Sequence, residues 1–415
     1  MRNPRKSKRT EFDQLPDFSD AERARRWGEI RWRMDLAGLD GLLIWGNEQK
    51  WQAALANNRY VAGQPCPGVI YFPLTGDPVV WTGFPHDVQP WGAMANSWLS
   101  DVRSGHDATD DIISRIRDAG VARGRIGVVG LGQSRPRVIP ESVAYSVFSR
   151  IQGDLPGATF IDADWILEQA RLIKSTEEIS AIRKASEITL AMYDTLIEVA
   201  RPGVREFEVT AAMLHTAMAL GGEEEMIWLS SGSVPPPHGK RPPASPRYLE
   251  SGDMIVVEYH GRYRGYLSGI ECSVALGEPA QHYHRIQEVC RAAQESGISR
   301  MQPGAMFAEA VEGFRGPIKE AQMASVECGL HGHGLASPEF PSCMYGGDVG
   351  SWEDHGYAKI PEIRLQENMV FETASDVYDP AWRTDTGLML GRLVHITAHG
   401  PVDMTRLPMD LHVTE

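Results

Sequence analysis

The sequence predicts an α/β domain followed by a larger α+β domain with internal pseudo-symmetry. Over residues 1–170, aliphatic segments typical of buried strands alternate with segments of helical spacing. A long amphipathic helix is predicted over 175–200. A helix–Pro-Gly–helix pattern occurs about Pro202-Gly203 and again about Pro303-Gly304. This repetition favours a second domain, over 171–415, built from two related halves.

The elements of the first domain are each predicted from their own residues. Ser19 followed by Asp20 is an opening signal for a helix over 19–38. Continuous runs of aliphatic and aromatic residues indicate buried strands, and turn residues or helices separate them. The predicted strands are 41–45, 69–73, 78–82, 125–130 and 158–162, and the predicted helices between them are 109–119 and 140–152.

The long helix that opens the second domain has clear boundaries. Ser175 is a natural N-cap, and Glu178, three residues later, completes a capping box. Arg201-Pro202-Gly203 ends the helix, because proline and glycine interrupt helical geometry. Further helices are predicted over 205–220, 280–300 and 306–324, with strands and turns over 226–278.

Composition limits the possible partners and location. The chain has 415 residues, and its 41 basic and 55 acidic residues give a net charge of −14, which excludes general nucleic-acid binding. Basic side chains cluster between Arg2 and Arg9, and residues 1–18 are expected to be flexible. No apolar stretch reaches the roughly 18 residues that cross a bilayer, and nothing resembles a secretory signal. The five widely spaced cysteines favour free thiols in the cytoplasm.

Three acidic residues interrupt strand-like apolar segments of the second domain. Glu258 follows Met254-Ile255-Val256-Val257, Glu271 lies in a run from Tyr266 to Ala275, and Glu372 follows Met369-Val370-Phe371. A buried carboxylate is costly unless it has a partner or a task. Each acid alone could face solvent from an edge strand, whereas three together favour one converging site.

Two histidines could serve the same site. His331 belongs to His331-Gly332-His333-Gly334, where glycines allow the backbone to turn tightly, and His238 follows three consecutive prolines that stiffen the chain. Imidazole and carboxylate groups together commonly transfer protons near neutral pH. The sequence contains no phosphate-binding loop, no HExxH motif and no GxSxG elbow that would indicate a different chemistry.

Several segments of the second domain resemble the creatinase, aminopeptidase P and prolidase superfamily. The matching segments are Arg171–Ile179 with Ile182–Ala185, Gly252–Val256, Gly265–Ser268, His331–Gly334 through Pro341, and Glu367–Phe371. The resemblance implies a pita-bread catalytic domain over 171–415 behind a creatinase-type amino-terminal domain over 1–170. It also implies a homodimer in which the partner subunit completes each site.

The resemblance places the metal ligands of the family at five positions. Family members use two Asp eleven residues apart, one His and two Glu, and these positions hold Glu258, Gly269, His331, Ala374 and Gly391 here. Two hard divalent ions need several carboxylate oxygens, which glycine and alanine cannot supply. No metal cofactor is therefore expected. A single ion held by Glu258, Glu271, His331 and Glu372 is the alternative.

Creatinase, a metal-free member of the superfamily, suggests the expected chemistry. His238 resembles its catalytic histidine and Glu271 resembles one of its glutamates, while Glu372 lies two residues from the position of another. The chain also resembles ectoine hydrolase, so the resemblance implies a creatinase-like or ectoine-hydrolase-like, metal-independent hydrolase of a C–N bond in a small polar or cationic molecule. His238, Glu271 and Glu372 are the expected catalytic residues, and Glu258 and His331 the expected substrate-binding residues.

A further substrate-binding candidate and other functions stay open. Arg59, in an expected loop with Tyr60, is a candidate for reaching the partner's pocket. The alternative functions are a metal-dependent Xaa-Pro aminopeptidase or dipeptidase with a remodelled site, a lyase for a small zwitterion, and a non-catalytic binding protein. The substrate is expected to be a small molecule in a modest pocket near Trp228, Tyr345 and Trp352.

Overall fold

The computed structural model describes residues 17–46, 53–92, 94–105, 107–131, 143–344 and 362–414. Most of the tail that we expected to be flexible lies outside these residues, as do Tyr345 and Trp352 of the expected pocket and the start of the helix predicted over 140–152. No helix within the described ranges is long and apolar enough to cross a membrane.

The first part of the chain folds around a mixed sheet in the strand order β4-β3-β2-β1-β5-β6. The central strand β1 pairs parallel with β5 and antiparallel with β2, and helices pack on the sheet. The strands are β1 (Gly41–Gly46), β2 (Gly68–Pro73), β3 (Val79–Thr82), β4 (Asp101–Ser104), β5 (Arg125–Val129) and β6 (Thr159–Asp162), and the helices are α1 (Asp20–Leu36), α2 (Ala53–Ala62), α3 (Thr109–Asp118), α4 (Tyr145–Asp154) and α5 (Asp164–Ala170).

We expected Arg59 and Tyr60 to lie in a loop. This prediction is wrong, because both residues lie in helix α2. The Tyr60 side chain is fully buried, and its hydroxyl donates a hydrogen bond of 2.8 Å to the carbonyl oxygen of Ala170. Tertiary packing thus stabilises a helix in a segment with two asparagines, which have low helix propensity. Helix α5 and strand β4 were also not predicted.

The second part of the chain contains two sheets, in the orders β15-β9-β8-β7 and β11-β10-β12-β13-β14. Helices α6 and α7 pack on the first sheet, and α8 and α9 on the second. The elements are α6 (Thr176–Val199), α7 (Glu206–Ala219), β7 (Ile227–Gly232), β8 (Met254–Tyr263), β9 (Tyr266–Leu276), α8 (Gln281–Ser299), α9 (Phe307–Glu320), β10 (Ala324–Gly332), β11 (Glu339–Cys343), β12 (Val370–Tyr378), β13 (Arg392–Thr397), β14 (Gly400–Asp403) and β15 (His412–Thr414).

The two halves repeat the same turn, which confirms the predicted pseudo-symmetry. Gly203 and Gly304 have φ angles of +89° and +87°, a conformation that glycine adopts without the strain of a side chain. Their amides donate hydrogen bonds of 2.8 and 2.7 Å to the carbonyl oxygens of Leu249 and Leu365, respectively. The predicted capping box of α6, made by Ser175 and Glu178, is also present.

Strand β9 brings the two sheets together. The amide of Gly391 donates to the carbonyl oxygen of Glu271 over 2.9 Å, and the Ser273 hydroxyl donates to the carbonyl oxygen of Met389 over 3.1 Å. The acids on β8 and β9 of one sheet therefore face those on β12 of the other. The predicted free thiols are also confirmed, since all five cysteines are buried and unpaired.

Buried ion pairs fix the segment that joins the two parts of the chain. Lys174 Nζ lies 2.9 Å from Glu339 Oε2, and Arg171 Nε lies 3.0 Å from Glu339 Oε1. Burial opposes ionisation of Glu339, but the charges of Lys174 and Arg171 outweigh it and lower its pKa to about 2. The start of β11 is thus tied to the segment between α5 and α6.

Glu339→Gln is expected to destabilise the fold, because it leaves two buried cations without a counter-charge. The loss should be about 3–5 kcal/mol of unfolding free energy, measured by urea denaturation followed by circular dichroism. The ionised Glu339 contributes above its ordinary pKa of 4.5, and this contribution is lost as the pH falls towards about 2. Glu278→Gln, whose side chain is 82% exposed, is the control. Equal stability of the two variants would refute the role of Glu339.

Candidate functional site

The candidate site is formed by side chains on adjacent central strands. In the β8–β9 pair, Glu258 lies opposite Glu271, and His260 lies opposite Gly269. In the β10–β12 pair, His331 lies opposite Glu372. Directly opposed residues of a sheet have side chains on the same face and in contact range. The acids are therefore not on solvent-facing edge strands.

A buried carboxylate, Glu372, lies at the centre of three imidazoles. Its Oε2 atom is 3.1 Å from His260 Nε2, 3.0 Å from His333 Nδ1 and 3.5 Å from His331 Nε2. These four side chains are all buried. Among the described residues, His333 Nε2 and Glu372 Oε1 have no hydrogen-bond partner. Orphaned buried polar atoms are costly and point to a group that binds there.

Two glycines make room for relocated carboxylates. A side chain at Gly269 would overlap the Glu372 carboxylate, which therefore fills the space that a residue at 269 would use. A Cβ atom at Gly391 would lie 2.8 Å from Glu271 Oε2. The resemblance places acidic ligands at both glycines, and the carboxylates of Glu372 and Glu271 lie beside these two positions.

The charges around Glu372 are interdependent. Burial opposes its ionisation, but His260 and His333 outweigh burial and keep the Glu372 pKa well below its ordinary value. Burial likewise opposes protonation of His260, yet the charge of Glu372 raises the His260 pKa to about 9. Burial lowers the pKa of His331 to about 4, so that ring is neutral at pH 7. Glu372 and His260 thus form a buried ion pair beside neutral His331.

A second group of polar side chains surrounds His238. Its Nδ1 atom lies 2.6 Å from Asp376 Oδ2, and its Nε2 atom lies 3.9 Å from Glu258 Oε2. Glu327 also lies near this ring, and the edge of Trp228 packs against it. Burial opposes protonation of His238, but its hydrogen bond and ion pair with Asp376 raise its pKa to about 9. The contact with Asp376 thus fixes the orientation of the His238 ring.

The other acids of this group resist ionisation. Burial raises the pKa of Glu258 to about 8. Burial, reinforced by the negative charge of Asp376, raises the pKa of Glu271 well above its ordinary value. His238 and His260 each approach Glu258 to 3.9 Å, but burial outweighs the effect of their charges on its pKa. A positively charged ligand would therefore be favoured here.

The structure brings five of the six predicted site residues together and leaves one apart. His238, Glu258, Glu271, His331 and Glu372 all lie on or against the facing strands β8, β9, β10 and β12. Arg59 instead forms a double ion pair with Glu223 of the same chain, with distances of 3.0 and 2.6 Å. Its guanidinium is thus held by a contact within its own subunit.

Sequence reasoning missed His260, His333, Asp376 and Glu327 as site residues. Alternate residues of a strand face the same side, and His260 and His333 each lie two positions after a predicted site residue. Asp376 lies four positions after Glu372 in β12, so the same periodicity could have found it. Glu327 lies where the β10–β12 register shifts, and no regular pattern could place it.

Comparisons with known proteins agree with this architecture. The profile of metallopeptidase family M24 matches residues 180–398, and the creatinase/prolidase amino-terminal domain matches residues 26–173. The chain is 26% identical to the Xaa-Pro dipeptidase of Pyrococcus furiosus over 66% of this chain and 74% of that protein. It is also 26% identical to the uncharacterized hydrolase/peptidase y4tM of Sinorhizobium fredii, over 96% and 99% of the two chains.

Solved structures support the same fold. The Xaa-Pro dipeptidase of Bacillus anthracis superposes with a TM-score of 0.73 at 24% identity, covering 94% of this chain and 99% of the other. The dipeptidase PepE of Mycobacterium ulcerans superposes with a TM-score of 0.76 at 22% identity, covering 96% and 99%. The predicted superfamily, the pita-bread fold and the expectation of a peptidase-superfamily hydrolase are confirmed.

The expectation that no metal cofactor is used is wrong. The matched family is one of metallopeptidases, and its curated relatives include Xaa-Pro dipeptidases. The metal-independent, creatinase-like function is therefore not supported. The expectation of a metal-free enzyme rested on the five family ligand positions. Three of them hold Gly269, Ala374 and Gly391, whose side chains offer no donor atom. The alternative of a single ion included Glu271 and Glu372 but not the imidazoles of His260 and His333, which the fold places beside Glu372.

The residues around Glu372 nevertheless fit a metal ion. His260, His333 and Glu372 each offer one donor atom, and these atoms lie within 4.8 Å of one another. His331 Nε2 points at the same carboxylate oxygen, since its other ring nitrogen contacts the Gly332 carbonyl oxygen. Imidazole nitrogens and a carboxylate oxygen are common ligands of divalent transition metals. A donor set is thus present, with His331 at a family position and His260, His333 and Glu372 at other positions.

Removing the charge of Asp376 should lower the pKa of His238. Selectively labelled histidine, followed by NMR, should titrate with a midpoint of about 9 for His238 in the unmodified chain. Asp376→Asn should move this midpoint towards 6.5, only partly, because Glu258 and Glu327 still face the ring. The exposed Asp385→Asn is the control. An unchanged midpoint in Asp376→Asn would contradict the pairing.

Proposed function

Because the chain belongs to metallopeptidase family M24, we propose that it is a metal-dependent hydrolase of the C–N bond in short peptides, of the Xaa-Pro dipeptidase or aminopeptidase type. The observation that carries this proposal is the buried Glu372 carboxylate among three imidazoles, next to the paired His238 and Asp376. Donors for a metal and a group for proton transfer therefore lie in one cleft.

His260, His331, His333 and Glu372 would hold the metal. A bound divalent ion polarises a carbonyl group and lowers the pKa of water, which is the chemistry that amide hydrolysis needs. The four side chains belong to β8, β10 and β12 and the turn after β10, so rigid strands fix most of them. These donors come from separate strands, so only the folded chain brings them together.

His238 is the proposed proton donor. Its pKa of about 9 gives the ring a proton at neutral pH, and Asp376 holds Nδ1, so Nε2 faces the cleft beside Glu258. His238 would donate this proton to the nitrogen of the breaking C–N bond. Once the amine has left, the neutral ring would take up the proton that the added water releases as the carboxylate product forms, and Asp376 would stabilise the imidazolium that results.

Glu258 and Glu271 would bind the free amino terminus of the peptide. Both acids have raised pKa values because burial disfavours their charge. A bound ammonium group would favour the ionised form of these acids and donate charge-assisted hydrogen bonds to them. This role favours short peptides with an unblocked amino terminus.

The domain division at residue 170, the cytoplasmic location and the homodimer remain predictions.

Turnover of Xaa-Pro dipeptides and their N-acetylated forms tests the proposal. The purified chain should hydrolyse the free dipeptides, lose activity on treatment with a chelator and regain it when a divalent metal is added. N-acetylation should abolish turnover, because it removes the charge that Glu258 and Glu271 bind. Hydrolysis that resists complete metal removal would contradict the proposal.

His238→Ala should lower kcat by about 10²–10⁴-fold, the usual contribution of a positioned acid or base. The metal content should stay unchanged, since His238 is not among the proposed ligands. His284→Ala, at a largely exposed position in α8, is the matched control and should retain full activity. Full turnover by His238→Ala would rule out its role.

A further inference from the structure

We propose that this chain binds one transition-metal ion through His260, His331, His333 and Glu372, instead of a pair of ions held mainly by carboxylates. The inference rests on the proposed function only in that a metal is bound at this cleft. It concerns the number and chemical class of the ions. Both can be measured without a substrate.

The family positions cannot hold two ions in this chain. Gly269 and Gly391 have no side chain, and the fully buried Ala374 has no donor atom. The two acids that occupy the vacated space do not restore a pair. The Glu372 carboxylate fills the space that a side chain at position 269 would occupy, but its Oε2 atom faces three imidazoles. Glu271 lies beside Gly391. Bridging carboxylates between two ions are therefore missing from these positions.

The donors that remain converge on one point. His260 Nε2, His333 Nδ1 and His331 Nε2 lie 3.1, 3.0 and 3.5 Å from the same Glu372 oxygen. His260 and His333 stack with an angle of 12° between their rings. All four side chains are more than nine-tenths buried, and the converging His333 Nδ1 atom has no hydrogen-bond partner among the described residues. One cation would satisfy this cluster.

The donor types select the class of metal. Three imidazole nitrogens and one carboxylate favour Zn²⁺, Co²⁺, Fe²⁺ or Ni²⁺, whereas Mg²⁺ and Mn²⁺ prefer sites dominated by oxygen. The replacement of carboxylates by imidazoles at this position therefore predicts tighter binding of Zn²⁺ and Co²⁺ than of Mn²⁺.

The group around His238 does not serve as a second metal site. His238, Glu327 and Asp376 also offer three close donor atoms. However, His238 Nδ1 is already engaged by Asp376 Oδ2 over 2.6 Å, and both His238 and Glu327 are partly exposed. This hydrogen bond orients the imidazole for proton transfer and occupies the donor atom nearest to the carboxylates.

Calorimetric titration of the metal-free chain with ZnCl₂, CoCl₂ and MnCl₂ tests the proposal. We expect one Zn²⁺ or Co²⁺ per chain and much weaker binding of Mn²⁺. The visible absorption of the Co²⁺ form reports the ligands directly. A stoichiometry of two ions per chain, no binding of Zn²⁺ or Co²⁺, or binding of Mn²⁺ as tight as that of Zn²⁺ would overturn the inference.

Single variants identify the ligands. His333→Ala and Glu372→Gln should each weaken Zn²⁺ binding by more than about 100-fold and change the Co²⁺ spectrum, since the loss of a ligand exceeds the effect of outer-shell changes. His395→Ala is the matched control, because His395 is also buried but contacts Asn368 away from the cluster. Circular dichroism verifies folding. Unchanged Zn²⁺ affinity in folded His333→Ala would refute the assignment.

Gly269→Ala tests the same geometry without removing a donor. The added methyl group would overlap the Glu372 carboxylate and displace it, so Zn²⁺ affinity should fall by about 10–100-fold. Gly83→Ala, where an added Cβ meets no atom within 4 Å, is the control and should bind normally. Equal affinity of the two variants would show that Glu372 is not a ligand.

These measurements separate the two proposals. If one ion binds as predicted but no dipeptide is hydrolysed, the metal site stands and the proposed peptidase function fails. If dipeptides are hydrolysed but two ions bind, the function stands and the single-ion site fails.

Discussion

The burial of the Glu372 carboxylate is the constraint on which the site depends. A carboxylate that is 1% exposed must be compensated by positive charge or hydrogen bonds. His260, His333 and His331 supply this compensation from β8, β10 and the turn that follows, so two sheets must meet at the correct distance. Gly269 is part of the same requirement, because any side chain there would occupy the place of the carboxylate.

The wider fold holds these strands in place through further buried charges. Arg26 of α1 contacts the hydroxyl of Tyr266, which in turn donates to Glu178 at the start of α6. Glu339 joins Lys174 and Arg171 close to the segment that carries His333. Breaking a buried pair costs more than its formation contributes, so such pairs disfavour alternative arrangements of the two parts of the chain.

The sequence was sufficient for most of the fold, because its signals are local. The capping box at Ser175, the aliphatic strands and the repeated Pro-Gly turns each depend on neighbouring residues. Helix α2 was missed because the burial of Tyr60 stabilises it, and burial depends on distant residues. The three acids of the cleft could be found because each interrupts an apolar strand, and His238 and His331 because of their neighbouring prolines and glycines and the family resemblance. The sequence did not show that Glu372 of β12 fills the space beside Gly269 of β9. This contact arises only when the two sheets pack together.

Alternate residues of β12 face the same side of the sheet, and this arrangement places Glu372 and Asp376 in two separate groups of side chains. Glu372, Ala374 and Asp376 share one face of the strand, with successive positions about 6–7 Å apart. The family's acidic ligand at the middle position is Ala374 here, while the flanking positions carry carboxylates. Glu372 joins the imidazoles on one side, and Asp376 orients His238 on the other. With alanine at the central position, the proposed cation donors and the proposed proton-transfer pair lie on either side of Ala374, and a substrate lying over Ala374 would contact both.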